Sequence, residues 1–475
     1  MNWKLAVRRL VDGIDRRVLG MLPPRAQLAL KRPLLSGLRF IFPQFIPAWV
    51  PDELLVRRPP ISFPREPLPE WLAPELTSMA REFDAGLSPS VLFRRGFSTY
   101  HPPVDRAYAG EVYFDILRAV RGPVDAVIVV PWLKPGGADR WAIALARTLA
   151  VDRAQRVLVL ATEPSNSPWS DRLPQGAQFL EIGSFLASLH FDRDDSVEVL
   201  SRLLVQLAPR VVHVVGSKHG WSAIRKHGRS IRAGSRIYAS LFCDELDETG
   251  VPTGYAESHL LDCSPWLDGV LVDNRRAPVV WQRRHGISAS LFSVVEFPAP
   301  ASVTPLIRHP LGQRVLWAGR FDRQKRLDLV AEIAKLTPEL HWDVHGSSVV
   351  PGHGSSLVAL SRLPNVTLHG QFDSFAELLT GAHGVFVYTS AWDGMPTILL
   401  DAAQSQLPIV ASSIGGVSDF LDSDVLVDVS EGAAGFANLI RLVLSNPSLA
   451  AELLRAQNRA LERRTWDSFS GSIPG

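Results

Sequence analysis

The sequence predicts an α/β protein made of two doubly wound parallel-sheet domains behind a proline-rich N-terminal extension. Three observations predict it. Short apolar runs rich in Val, Ile and Leu recur from Val124 onward, each followed by a helical pattern, which is the signature of strands buried on both faces. The alternation stops at Phe297-Pro-Ala-Pro300 and restarts with a second set of runs. The chain has 475 residues, enough for two or three domains.

The divisions expected are 1–115 as the extension, 116–300 and 301–448 as the two Rossmann-like domains, and 449–475 as a closing helix and tail. Residues 1–22 carry Trp3, Val7, Leu10, Ile14, Val18 and Met21 at three- and four-residue spacing, with Arg8, Arg9, Arg16 and Arg17 between them. That is an amphipathic basic helix. Two readings stand for it: attachment to an anionic membrane surface or a partner, or docking on the body with its arginines in solvent. Residues 23–103 hold 15 of the 36 prolines, which excludes long regular elements there apart from a helix within 70–86.

In the first domain, strands are expected at 125–131, 156–161, 179–182, 211–215, 236–242 and 269–272. Helices are expected at 141–150, 197–207, 222–231 and 278–285. In the second domain, strands are expected at 314–318, 342–345, 366–369, 384–389 and 409–412. Helices are expected at 327–336, 375–380, 397–404 and 435–444, with a last helix over 449–464.

Composition narrows the function. With 46% hydrophobic and 21% charged residues the chain reads as an ordinary soluble globular protein. No apolar run approaches the roughly 18 residues of a membrane span; the nearest, Phe40–Val50, contains Pro43 and Pro47. No secretory signal is read at the N-terminus. Two cysteines make neither a disulfide framework nor a metal cluster. A cytoplasmic setting is therefore expected, to which the first of the two readings of residues 1–22 adds a peripheral contact with the inner face of the plasma membrane. Net charge is +2, but residues 1–60 contribute +7 and the remainder −5. The basic excess belongs to the extension, so no nucleic-acid partner is expected.

Two such domains turn the C-terminal ends of their strands toward one cleft, and ligands of open α/β sheets bind there. Three strand-end loops supply polar chemistry. Gly136 and Gly137 open the first helix of the first domain, where bare backbone lets a phosphate or sugar approach. The Gly-x-Gly-x-x-Gly fingerprint of dinucleotide binding is absent, which disfavours a dehydrogenase. Gly319-Arg320 through Lys325 follows a strand, and Arg320 and Lys325 suit an anion. Arg323 and Arg326 read as solvated charges. The third stretch, Gly384–Phe420, carries Asp393 and Asp401 around Gly394-Met395-Pro396, with Pro396 suited to a first helical position. Thr397, Asp401 and Gln404 share one helical face, which turns Asp401 toward the Asp393 loop.

These residues resemble the family 4 retaining glycosyltransferases of GT-B fold. Ser390-Ala-Trp-Asp393-Gly394-Met-Pro396 through Asp401-Ala402 is similar to their Glu-(seven residues)-Glu hallmark. Gly319-Arg320 to Lys325 is similar to their Gly-Arg-x-x-x-x-Lys, and Gly136-Gly-Ala-Asp139 to their Gly-Gly-Ala-Glu. The match spans about 124–445 and looks like the bacterial surface-polysaccharide branch.

The resemblance implies a nucleotide-diphospho-sugar donor in the second domain and no further cofactor; no metal is expected, because no Asp-x-Asp motif stands at a strand end. Arg320 and Lys325 would neutralise the diphosphate, Asp401 would hold the ribose and Asp393 the sugar. Gly319, Gly394 and Pro396 would line the donor, the backbone N–H groups of Met395, Thr397 and Ile398 would cap phosphate or sugar oxygens, and Gly136 and Gly137 would close from the first domain. A glycan or lipid-linked glycan hydroxyl would attack from the front face with retention.

Two departures stand out. Both hallmark glutamates are aspartates. The family's His-x-His is His213-Val-Val215, so Ser217, Lys218 or His219 would form the acceptor wall, and His213 reads as a core residue. Two alternatives share the fold: a nucleotide-sugar epimerase, and a scaffold that binds donor without turnover.

Overall fold

The computed structural model describes residues 72–82, 107–187, 193–300, 312–347 and 354–475, with isolated positions between 26 and 33. The basic helix expected over 1–22 lies outside the described residues, as do most of the proline-rich segment and Ser348. The chain forms two compact units. One comprises Met1–Ala119 and Ile182–Val199, the other Val120–Glu181 and Leu200–Gly475. The first includes helices α1 (Leu72–Glu82) and α2 (Ala107–Ala119). The second contains both large sheets. Among the described residues no helix is long and apolar enough to cross a membrane.

The first sheet grows from β1 (Ala126–Val130), five apolar residues with no exposed face. Parallel neighbours on both sides explain that burial: Ala126 pairs with Val157 of β2 (Val157–Ala161) and with Val211 of β4 (Val211–Val215). β3 (Ala177–Glu181) lies outside β2. On the other flank follow β5 (Arg236–Ser240), β8 (Gly269–Val272) and β9 (Phe292–Val294), giving the order β3-β2-β1-β4-β5-β8-β9. A two-stranded antiparallel hairpin, β6 (Glu245–Leu246) with β7 (Pro252–Thr253), leaves the cleft end of β5. Helices α3 (Gly137–Arg147), α4 (Arg193–Leu207), α5 (Lys218–Arg232) and α6 (Arg276–His285) connect the strands.

The second sheet has the order β12-β11-β10-β13-β14-β15. Its strands are β10 (Arg314–Ala318), β11 (His341–His345), β12 (Val366–His369), β13 (His383–Tyr388), β14 (Ile409–Ser412) and β15 (Leu426–Val427). Helices α7 (Leu327–Leu336), α8 (Gly354–Ser361), α9 (Thr397–Gln404), α10 (Gly432–Ser445) and α11 (Pro447–Glu462) follow the expected alternation, α8 being unanticipated. The helix expected over 375–380 is a single 3₁₀ turn, Phe375–Leu378, capped by Ser374 and ended where Leu379 turns extended. Both sheets reverse strand order once, at β1/β4 and at β10/β13, so each has one crevice at its strand C-termini.

The tail returns to the first sheet. After α11, helix α12 (Trp466–Ser472) places Phe469 and Ile473, both at most 2% exposed, in the core under β1 and α3. Phe469 meets Trp141 edge to face at 5.3 Å. Arg153 donates to the carbonyls of Ser470 and Ile473.

Candidate functional site

The loops after β10 and β13 meet at the second sheet's crevice and are laced together. Ala391 N–H donates to the Gln324 carbonyl and Gln324 Nε2 to the Trp392 carbonyl, each at 2.8 Å. Thr389 Oγ1 donates to the Lys325 carbonyl at 2.8 Å and accepts Trp317 Nε1 at 2.9 Å. This frame delivers Lys325 Nζ to Asp393 Oδ2 at 2.6 Å and to the Tyr388 hydroxyl at 3.2 Å. Tyr388 donates to the same carboxylate oxygen at 2.5 Å, and Gly394 N–H to the other at 3.0 Å. Burial works to raise the Asp393 pKa, but the Lys325 charge and these donors hold it below its ordinary value. Burial, then Asp393, pushes the Tyr388 phenol well above its own, so it stays a donor.

Arg320 stands half exposed at the end of β10, bound to Asp322 Oδ2 at 3.2 Å and Gln324 Oε1 at 2.9 Å. It is more exposed than Lys325, which is engaged with Asp393. Gly319 packs against Trp317, and its N–H is taken by the His345 carbonyl at 3.1 Å. Arg323, expected in solvent, instead forks to the carbonyls of Leu246 and Asp247 of the first domain and lies 4.8 Å from the Trp392 ring centroid. Arg326 forms a local pair with Asp328, as a surface charge would.

Helix α9 begins one residue later than Pro396 suggests: Pro396 is the N-cap and Thr397 the first helical residue. Leu399, Leu400, Ala402 and Ala403 are buried, so Thr397 and Asp401 lie on the cleft side, with Ile398 half buried. Asp401 does not turn to the Asp393 loop as expected. Its Oδ2 accepts Arg140 Nη1 of α3 at 2.5 Å, a pair whose side chains are 11% and 30% exposed. Burial pushes the Asp401 pKa up, and Arg140 opposes that shift. Thr397 also faces the first domain, its Oγ1 only 3.6 Å from where a Cβ at Gly137 would stand. The starts of α3 and α9 thus converge, and two helix N-termini favour an anion between them.

Gly136 leaves room for Asp139, which caps the preceding turn by accepting Lys134 N–H at 2.9 Å. Burial pushes the Asp139 carboxyl up to about 6, against the charges of Arg320 and Lys134. Between the unfolded value of 3.8 and about 6 the unfolded chain binds fewer protons, so this group lowers stability as pH rises through that window. Asp139→Asn is therefore expected to flatten the melting temperature between pH 4 and 7. Parallel wild-type and variant profiles would contradict it.

The first domain sends a second carboxylate into the cleft, unanticipated from sequence. Asp273, at the end of β8, accepts Met395 N–H at 3.0 Å and Asn274 Nδ2 at 2.8 Å. The Met395 amide expected to cap a phosphate is thus already bonded, leaving those of Thr397 and Ile398 in the first turn of α9. Arg140 in the first turn of α3, Tyr388 as the last residue of β13 and Asp273 just after β8 share one signal, a polar group where a strand ends or a helix starts, but nothing in the sequence names their partners.

Where the resemblance would put the acceptor, His219 Nδ1 lies 3.1 Å from Glu163 Oε1, both partly exposed. Ser217 is fully buried: its hydroxyl accepts Gly220 N–H at 3.0 Å and meets Thr162 Oγ1 at 2.8 Å. It caps α5 and presents no surface, so the expectation that it lines an acceptor wall is not met. His213 is a core residue, stacked on Tyr238, and burial lowers its pKa to about 4.

Residues 312–446, the whole of the second sheet, match the family model described as Glycosyl transferases group 1. No curated protein matches the chain in sequence. Among solved structures, Anabaena HepE in complex with UDP-glucose superposes with a TM-score of 0.60 at 16% identity, covering 73% of this chain and 97% of that one. The lipopolysaccharide outer core galactosyltransferase WaaB superposes at 0.53 and 16% identity, covering 73% and 98%. Staphylococcus aureus TarM, in complex with fondaparinux, alpha-GlcNAc-glycerol and UDP, superposes at 0.50 and 18% identity. This chain spans only 58% of TarM's length. In fold the chain is thus a two-domain GT-B protein, and its second domain matches the group 1 glycosyl transferases.

Proposed function

We propose that the chain is a retaining, metal-independent glycosyltransferase. It moves a sugar from a nucleotide-diphospho-sugar to a hydroxyl of a glycan or lipid-linked glycan in cell-envelope polysaccharide synthesis. It works in the cytoplasm, with residues 1–22 as a contact to the inner membrane face. One observation carries the reading. Lys325 and Asp393 pair at the crevice of the domain that matches the group 1 glycosyl transferases, with Arg320 just after β10 and Asp401 on the helix that follows β13.

The residues divide the work. Arg320, exposed and adjustable, meets the diphosphate as its charge grows in the transition state. Lys325 keeps Asp393 ionised to accept sugar hydroxyls and adds its own charge nearby. Asp401 takes the ribose hydroxyls, for which Arg140 must share or yield the carboxylate. The released guanidinium then faces the same anion. The leaving phosphate accepts the proton of the attacking hydroxyl.

The test is release of nucleoside diphosphate from UDP-, GDP- and dTDP-sugars with and without a cell-envelope acceptor fraction. Acceptor-dependent release is expected, falling about 100-fold in Arg320→Ala. Unchanged release in that variant would remove the clamp. Acceptor-independent release of an altered sugar nucleotide would favour the epimerase, and donor binding with no turnover the scaffold. Deleting residues 2–22 is expected to move the protein from the membrane fraction to the soluble one.

A further inference from the structure

A carboxylate of the first domain is built into the loop that carries Asp393. Asp273 is 8% exposed, and a Cβ on Gly394 would stand 2.5 Å from its Oδ1. The contact continues along the chain. Asn274 lies against Gly416 with no space for a Cβ there, and Arg275 N–H donates to Asp419 Oδ2 at 2.7 Å. Gly416 N–H in turn donates to the Gly394 carbonyl at 2.9 Å. Apolar packing would join two domains at lower cost, since burying a carboxylate is unfavourable unless its hydrogen bonds are made. Here both oxygens are used, one of them on the backbone of the loop itself.

We propose that Asp273 is a positioning residue for transfer, holding the Asp393–Met395 loop from the first domain so that the sugar-gripping carboxylate is set when the cleft is closed. This rests on reading Asp393 as a donor contact. The titratable groups whose charge interacts with Asp273 are Asp393, the Cys243 thiol and Arg464, and Lys325 acts on Asp393 in turn. Burial, and further off the Asp393 charge, push Asp273 up to about 7. The ionised form is the stronger acceptor for the Met395 amide, so the loop is held more tightly above that value.

The experiment compares wild type, Asp273→Asn and Asp273→Ala, using whichever UDP-, GDP- or dTDP-sugar binds the wild type. Asp273→Ala is expected to weaken donor binding about 10- to 100-fold. Asp273→Asn, which still offers an oxygen to Met395, is expected to recover most of that at pH 6. It should lack the tightening the wild type shows from pH 6 to 8. Wild-type affinity in Asp273→Ala, or coincident pH profiles for wild type and Asp273→Asn, overturns the role. Should Asp273→Ala not fold, the Asn profile decides alone. Should no sugar nucleotide bind the wild type, the donor reading fails instead. Hydrogen exchange at the Met395 amide then decides the clasp: faster exchange in Asp273→Asn supports it and an unchanged rate overturns it.

Discussion

Lys325→Ala is expected to lower acceptor-dependent turnover by about 100- to 1,000-fold and to destabilise the fold by about 2 kcal/mol. Lys325 Nζ and Asp393 Oδ2 are 2.6 Å apart, with side chains 15% and 20% exposed. Removing one member of a buried pair leaves the other uncompensated, at roughly 3–5 kcal/mol when water is excluded. The remaining exposure brings the expectation to the lower figure. Without the lysine, burial dominates the Asp393 carboxyl and its pKa rises. The residual activity should therefore shift its acid limb to higher pH. Lys325→Arg is not expected to rescue, because a planar guanidinium does not replace a point charge in contact with both Asp393 and Tyr388. Initial rates across pH and thermal melts measure both effects, and activity within threefold of wild type would contradict the arrangement.

Gly415→Ala is the second large expectation, a loss of donor binding of about 100-fold or more. Gly415 sits at φ +47°, and a Cβ there would overlap the Asp393 carbonyl oxygen and press on that of Gly394. The obstruction is backbone, so relief requires moving the Asp393 loop and parting Gly416 N–H from the Gly394 carbonyl. Gly286→Ala separates the two contributions. Gly286 has φ +67° at the end of α6 with nothing near its Cβ position, so it pays only the left-handed cost of about 1 kcal/mol. Donor titration with both variants checks the contrast. Equal donor affinity in the two would mean that the loop does not depend on this close approach.

Much of this was legible in the chain. β1, β4 and β8 read cleanly because strands buried on both faces leave unbroken apolar runs. The extent of α9 was legible from Pro396 and the apolar spacing that follows. Asp393 and Lys325 could be singled out, but their mutual contact could not, since it depends on two loops 68 residues apart being sewn together. Nothing local pairs Arg140, because its partner lies 261 positions away. Asp273 lies in Val272-Asp-Asn-Arg275, which as sequence is an ordinary turn, and Tyr388 was counted as strand because its ring is apolar. β6, β7 and β15 are two residues each, too short to carry a period.

The returning tail bears on the order in which this protein is made. Domains tend to fold from the N-terminus as the ribosome releases them. Here the first sheet emerges early, yet the ring that closes its core is Phe469, and Arg153 waits for the carbonyls of Ser470 and Ile473. The second sheet, by contrast, has every strand in hand once Val427 is out. The domain that is synthesised second is therefore positioned to finish first. A released chain truncated between α11 and α12 should hold a native second domain beside a first domain whose core is still open to protease.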